Sequence, residues 1–207
     1  MPFPRLAPRD RLCLMAGILL SLGALVFGAV LARREYVHWR VESFRSQAEK
    51  YGELFAVDPE MILSVISAES SGDPRAQSAA SARGLMQVTP ITLEEVRRRS
   101  ATLGEGDLFD PEYNIAVGSR YLASLMERFH GDKAAVIAAY HMGPTAVARA
   151  LAARPGSRGL AMLGTPAVGP KTRAYVLRVL AEWEDRRAKR DAVQREKEEA
   201  MRGRQRP

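Results

Sequence analysis

VDPEMILSVISAESSG, residues 57–72, decides the fold. Asp58 is a helix N-cap residue, and Pro59 fits the first helical position, where a missing N–H costs nothing. Met61, Ile62, Val65 and Ile66 recur at helical spacing, and Ser71-Gly72 supplies the stop. The stretch therefore predicts a helix from Pro59 to about Glu69 with one apolar face.

The same punctuation recurs on both sides. Upstream, Tyr36 to Val57 predicts an amphipathic helix through Trp39, Val41, Phe44, Ala48, Tyr51 and Phe55. Downstream, residues 73–89 lack periodicity and predict loop or short turns. Thr92 with Glu95 predicts a capping box for a helix ending near Arg99. Asp110-Pro111 repeats the start signal, for a helix carrying Ile115, Gly118, Leu122, Leu125 and Phe129 and stopping at Gly131. Asp132 caps a helix through Ala139-Tyr140, broken at Gly143-Pro144, and another follows to about Ala153. Residues 155–170 read as a long loop. Pro170 starts a last helix striped by Tyr175, Val176, Val179, Leu180 and Trp183. No segment alternates as a strand would, so the fold class is all-α.

Charge narrows the function classes. The net charge is +7, but Glu184–Arg206 holds nine basic and six acidic side chains, and residues 1–11 hold Arg5, Arg9 and Arg11 against Asp10. The globular middle is almost neutral overall, which argues against nucleic acid as a partner. The single cysteine, Cys13, excludes an internal disulfide and leaves the compartment open.

Leu12 to Ala32 is uncharged and apolar. As a helix its length is about 32 Å at ~1.5 Å per residue, enough for a bilayer core. It exceeds the ~7–15 apolar residues of a cleavable signal peptide, so it is read as an uncleaved transmembrane anchor. Arginines flank both ends and orient it only slightly. The expected organisation is a cytoplasmic segment 1–11, an anchor 12–32, a joining amphipathic helix 33–56, a globular domain 57–183 and a charged tail 184–207, either a solvated helix or disordered.

Glu69 is out of keeping with its surroundings. Met61, Val65 and Glu69 share one face, so a carboxyl lies on the side that should be buried. Desolvation and the negative end of the helix dipole both disfavour its ionisation. A carboxylic acid that holds its proton near neutrality is what general-acid catalysis requires.

Four motifs carry a resemblance: Glu69-Ser70 with Gly72-Asp73-Pro74; Gly84-Leu85-Met86-Gln87; Ala139-Tyr140-x-x-Gly143; and Thr172-x-x-Tyr175-Val176. In that order they resemble the soluble lytic transglycosylase family of peptidoglycan-cleaving enzymes. The resemblance implies a goose-type lysozyme-like helical domain with Glu69 as the single catalytic acid/base. It implies that Ser70 orients the carboxylate and the sugar's N-acetyl group, that Met86 and Gln87 line the saccharide groove, and that Tyr140 and Tyr175 border Glu69. The implied reaction cuts the MurNAc–GlcNAc β-1,4 bond and leaves 1,6-anhydro ends. The implied partner is the peptidoglycan glycan strand, with the domain on the extracytoplasmic side of the inner membrane and neither cofactor nor metal. Two positions depart from the family: His141 replaces its usual asparagine and Lys171 its usual acidic residue. Asp73 reads as a turn residue rather than a second catalytic carboxylate. A lysozyme-like hydrolase, or a weakly active wall-binding anchor whose tail meets an envelope protein, remain as alternatives.

Overall fold

The computed structural model describes residues 8–100, 103–156 and 158–204. The chain divides into two compact units, residues 1–39 and 40–207, each taken by itself below. Most of the expected segment 1–11 falls on residues 1–7, outside the described residues.

Helix α1, Pro8–Glu42, makes up residues 8–39 of the first unit and ends in the second. Its Gly17–Glu42 part is long and apolar enough to cross a membrane. Leu19, Leu25 and Phe27 are exposed on it. The predicted helix over residues 36–57 is divided. Helix α1 runs to Glu42, the chain turns at Ser43-Phe44, and α2 spans Arg45–Phe55. The Ser43 hydroxyl donates to the Arg40 carbonyl at 2.7 Å, and Arg45 reaches Glu42 at 2.7 Å and the buried Glu60 at 2.9 Å. The apolar spacing continues across this turn, so periodicity could not reveal it.

In the second unit, α3 spans Pro59–Ser70, α4 Pro90–Arg99, α5 Pro111–Arg128, α6 Lys133–Met142, α7 Pro144–Ala152 and α8 Pro170–Arg204. A 3-10 turn, Gly159–Gly164, lies within the predicted loop 155–170. The aspartate caps form as the sequence expects: Asp58 accepts from the Glu60 N–H at 2.9 Å, Asp110 from Tyr113 at 2.7 Å and Asp132 from Ala135 at 3.1 Å. Helix α4 starts earlier than predicted. Thr89 is its cap, accepting from the Thr92 N–H at 3.1 Å, with Pro90 in the first turn. Glu95 pairs instead with Arg99.

Residues 61–66 of α3, 114–119 of α5 and 134–139 of α6 are buried all round. Helix α3 packs on α2 and α8, α5 on α2, α4 and α6, and α6 on α7 and α8. Where α2 meets the start of α3, a Cβ on Gly52 would sit 2.6 Å from the Val57 carbonyl oxygen, so only glycine permits the approach. The described residues contain isolated bridges, Gln77 to Arg83 and Arg83 to Val88, and no strand.

Beyond Trp183 α8 continues to Arg204, so of the two forms expected for the tail it takes the helical one. Arg186 is 7% exposed and pairs with Glu42 and Glu182. Arg190 and Arg187 reach Asp58 at 3.1 and 3.4 Å, and the Trp183 indole donates to Asp58 at 3.1 Å. One aspartate thus caps α3 and holds α8. Asp58→Ala is expected to cost about 2 kcal/mol and lower Tm by about 4–8 °C in a thermal melt, with Asp58→Asn recovering most of the loss.

Candidate active site

The site forms where α3 ends, α6 ends and α8 begins. Glu69 lies in the last turn of α3, just before Ser71 and Gly72 take left-handed backbone at φ 53° and 74°. It is half-buried, and the Tyr175 hydroxyl of α8 donates to its Oε1 at 2.6 Å. Burial pushes the Glu69 carboxyl pKa up, while the Tyr175 hydroxyl and the Arg178 charge pull it part of the way back. Burial also raises the hydroxyl pKa values of Tyr175 and Tyr140 well above the ordinary range, and the charge of Glu69 reinforces both. Both tyrosines therefore stay neutral donors at every physiological pH.

Tyr140 comes from the last turns of α6. Its hydroxyl donates to the Met86 carbonyl at 2.7 Å, and its ring packs on Tyr121 at 5.5 Å. Met86 itself is fully buried, its thioether seated on Gly118, where any Cβ would overlap it. What Met86 offers the site is its backbone. Gln87, at φ 46°, donates its side-chain amide to the carbonyls of Ala76 and Gly84, both at 3.0 Å, and so pins the loop that carries Met86. Ser70 donates to the Ile66 carbonyl of its own helix at 3.2 Å.

His141 is exposed. Its ring packs on Tyr175 at 4.4 Å, tilted by 33°, and its Nδ1 shares a 3.1 Å hydrogen bond with Thr172. Burial of part of the ring, and then Arg178, lower its pKa, so the neutral form prevails near neutrality. Asp73 pairs with Arg40 at 3.4 Å and accepts from the Arg75 N–H, which is turn chemistry. Among the described residues no His, Cys, Asp and Glu group could hold a metal ion.

The structure thus gathers Glu69, Tyr140, His141 and Tyr175, and places Met86, Gln87 and Ser70 in supporting positions. Three further residues matter that sequence reasoning did not assign. Arg178 donates to the Ala68 carbonyl at 3.2 Å and lies 5.8 Å over the Tyr175 ring. Thr172, Tyr175 and Arg178 follow at i, i+3 and i+6, a polar face that helical spacing could have flagged. Asn114, fully buried, accepts from the Met86 N–H at 2.8 Å and donates to the carbonyls of Arg83 (2.8 Å) and Leu108 (2.7 Å). It stands directly before the apolar run Ile115-Ala116-Val117 in the first turn of an Asp-Pro helix start, which was its only signal.

Fold and site together define a helical, lysozyme-like domain whose site holds a sheltered carboxylic acid. Residues 46–160 match the transglycosylase SLT domain, and the chain belongs to that family. It is 42% identical over 93 residues to the membrane-bound lytic murein transglycosylase F of Desulfosudis oleivorans, covering 45% of this chain and 19% of that protein. The endo-type membrane-bound lytic murein transglycosylase A of Klebsiella pneumoniae is 42% identical over 82 residues, covering 38% of this chain and 40% of that one. Among solved structures, the 70 kDa soluble lytic transglycosylase of Escherichia coli superposes with a TM-score of 0.63 at 27% identity, covering 68% of this chain and 23% of that one. The chain spans less than half the length of each of these proteins.

Proposed function

We propose that the chain is a membrane-anchored enzyme that cleaves peptidoglycan glycan strands, with Glu69 as its acid and base. The observation that carries this reading is the 2.6 Å bond from Tyr175 to a carboxyl whose burial raises its pKa. The names of the relatives, murein transglycosylases, support the substrate. Glu69 protonates the glycosidic oxygen between MurNAc and GlcNAc as the C1–O bond breaks, and the substrate's N-acetyl group stabilises the positive charge at C1. The ionised Glu69 then takes the proton of the muramic C6 hydroxyl. That oxygen closes onto C1 and leaves a 1,6-anhydro end. Hydrolysing glycosidases use a second carboxylate. Asp73, the nearest acidic residue in sequence, is engaged with Arg40 and the turn at Arg75. Tyr140 and Tyr175 hold the carboxyl and the sugar, His141 stands in for the family's asparagine, and Gln87 and the Met86 backbone shape the saccharide side.

Mass spectrometry of digested sacculi tests the reaction. Anhydro ends support it, and reducing ends alone would make the enzyme a hydrolase. In this reading α1 anchors the protein in the inner membrane, with residues 40–204 on the extracytoplasmic side. Protease added to intact spheroplasts should then digest the domain, and protection would overturn that orientation.

Tyr175→Phe removes the donor that favours ionised Glu69. A hydrogen bond to a charged group contributes about 1.5–3 kcal/mol, so turnover should fall about 10- to 100-fold. The alkaline limb of kcat/KM should move to higher pH, because the protonated acid persists longer.

A further inference from the structure

A second cleft lies at the other end of α6. Its volume is about 670 Å³, within the range of small-molecule sites. Phe129, Ala135 and Leu151 give it an apolar wall, and Arg128, Asp132 and Arg158 a polar one. Asp132 and Tyr140 are eight residues apart, so the cleft sits about 12 Å along α6 from the Tyr140 turn, at ~1.5 Å per residue.

The charge here is one-sided. Asp132 is the cleft's carboxylate, and both its oxygens are engaged, Oδ1 by the Ala135 N–H and Oδ2 by the Gly159 N–H at 2.6 Å. Arg128 and Arg158 are exposed, and no ion pair joins either to a carboxylate among the described residues. Arg128 lies 5.9 Å over the Phe129 ring, which fixes its stem at the cleft edge. The carboxyl end of α5, which would repel an anion, is closed by the amides of Phe129 and Gly131. The stretch of chain that supplies the rest of the lining adds no opposing charge: residues 133–158 contain Lys133, Arg149, Arg154 and Arg158 and no Asp or Glu. Two guanidinium forks beside an apolar wall suit a small organic anion with a planar carboxylate and aliphatic substituents. A bare inorganic anion would leave the wall unused.

We infer that this cleft binds the carboxylate end of a short peptide, of the kind borne by wall glycans, as a second contact apart from Glu69. The identity of that ligand rests on the proposed function, whereas the site itself does not. It would let the enzyme distinguish peptide-bearing from bare glycan while the chemistry proceeds elsewhere.

The test uses the full chain in non-ionic detergent, carrying Glu69→Gln so that turnover does not interfere. Acetyl-D-alanyl-D-alanine, its C-terminal amide and inorganic phosphate are titrated in parallel by calorimetry. The free acid should bind at least about tenfold tighter than either the amide or phosphate, a bidentate arginine–carboxylate contact being worth that much. Arg128→Gln with Arg158→Gln should abolish the difference without lowering Tm. In the enzyme with Glu69 intact, the same pair should raise KM for peptide-bearing strands only. Equal binding of acid and amide, tighter binding of phosphate, or an unchanged preference in the double variant would each overturn the site. Acid-selective binding that the double variant abolishes, in a chain that cleaves no glycan, would leave the site standing and remove the catalytic reading.

Discussion

Glu69→Gln should reduce glycan cleavage by about 10²–10⁴-fold, the usual contribution of a general acid, while the protein stays folded. Glutamine fills the same space and can accept the Tyr175 hydroxyl, so the 2.6 Å contact has a neutral replacement. The substitution also has a stability signature that separates catalysis from unfolding. Because burial raises the Glu69 pKa in the folded chain, the folded state binds its proton more tightly than the unfolded state does. Stability is then lost as pH rises from the unfolded pKa through the folded one. The glutamine variant carries no such penalty, so at neutral pH its Tm should equal or exceed that of the parent, although its activity is nearly gone. Thermal melts at pH 4 and pH 7 beside a sacculus-release assay read both effects. A variant that cleaves as fast as the parent would remove Glu69 from the chemistry.

Asn114→Ala should be the most damaging single change to the fold. It strands the Met86 N–H and the carbonyls of Arg83 and Leu108, all bound at 2.7–2.8 Å by one buried amide. Each stranded buried group costs about 1–3 kcal/mol, so a total of about 3 kcal/mol or more is expected, and a Tm lower by about 6–12 °C. The effect should reach the site too. The Met86 carbonyl that holds Tyr140 sits on the same loop, and Gly84, at φ 73°, packs directly on Asn114 and the Leu108 carbonyl. Calorimetry and activity at a temperature below both melts separate the two losses. A variant that melts with the parent would show that water replaces the amide.

Local signals carried most of the fold. Asp58, Asp110 and Asp132 cap helices as their neighbours suggested, because a cap is a short-range bond within four residues. Two features were not settled locally, for the opposite reason. The turn at Ser43-Phe44 depends on Arg45 reaching Glu60, fifteen residues away. The tail beyond Trp183 lacks an apolar stripe, so the sequence left a solvated helix and disorder both open, and the ion pairs of its first turns to Glu42 and Asp58 are recorded by no periodicity. The site was legible in part. Residues 69 and 175 are 106 positions apart, and only the resemblance to a family joined them before the structure gave a distance. Met86 was read as a groove residue from its motif. Its burial against Gly118 follows from a missing Cβ on another helix. Arg178 and Asn114 act through backbone carbonyls and amides, so the sequence could mark them as polar residues in notable positions but could not name their partners.

The Glu69 carboxyl should keep its proton above the pH at which an ordinary glutamate, at ~4.3, gives it up. Carbon-13 difference spectra between the parent and Glu69→Gln, with glutamate labelled at the side-chain carboxyl, follow that one group through a pH titration. A midpoint raised above the ordinary value, and raised further by Tyr175→Phe, is the expected result. A midpoint at or below the ordinary value would mean that the carboxyl is already ionised when substrate arrives, and Glu69 could not be the acid.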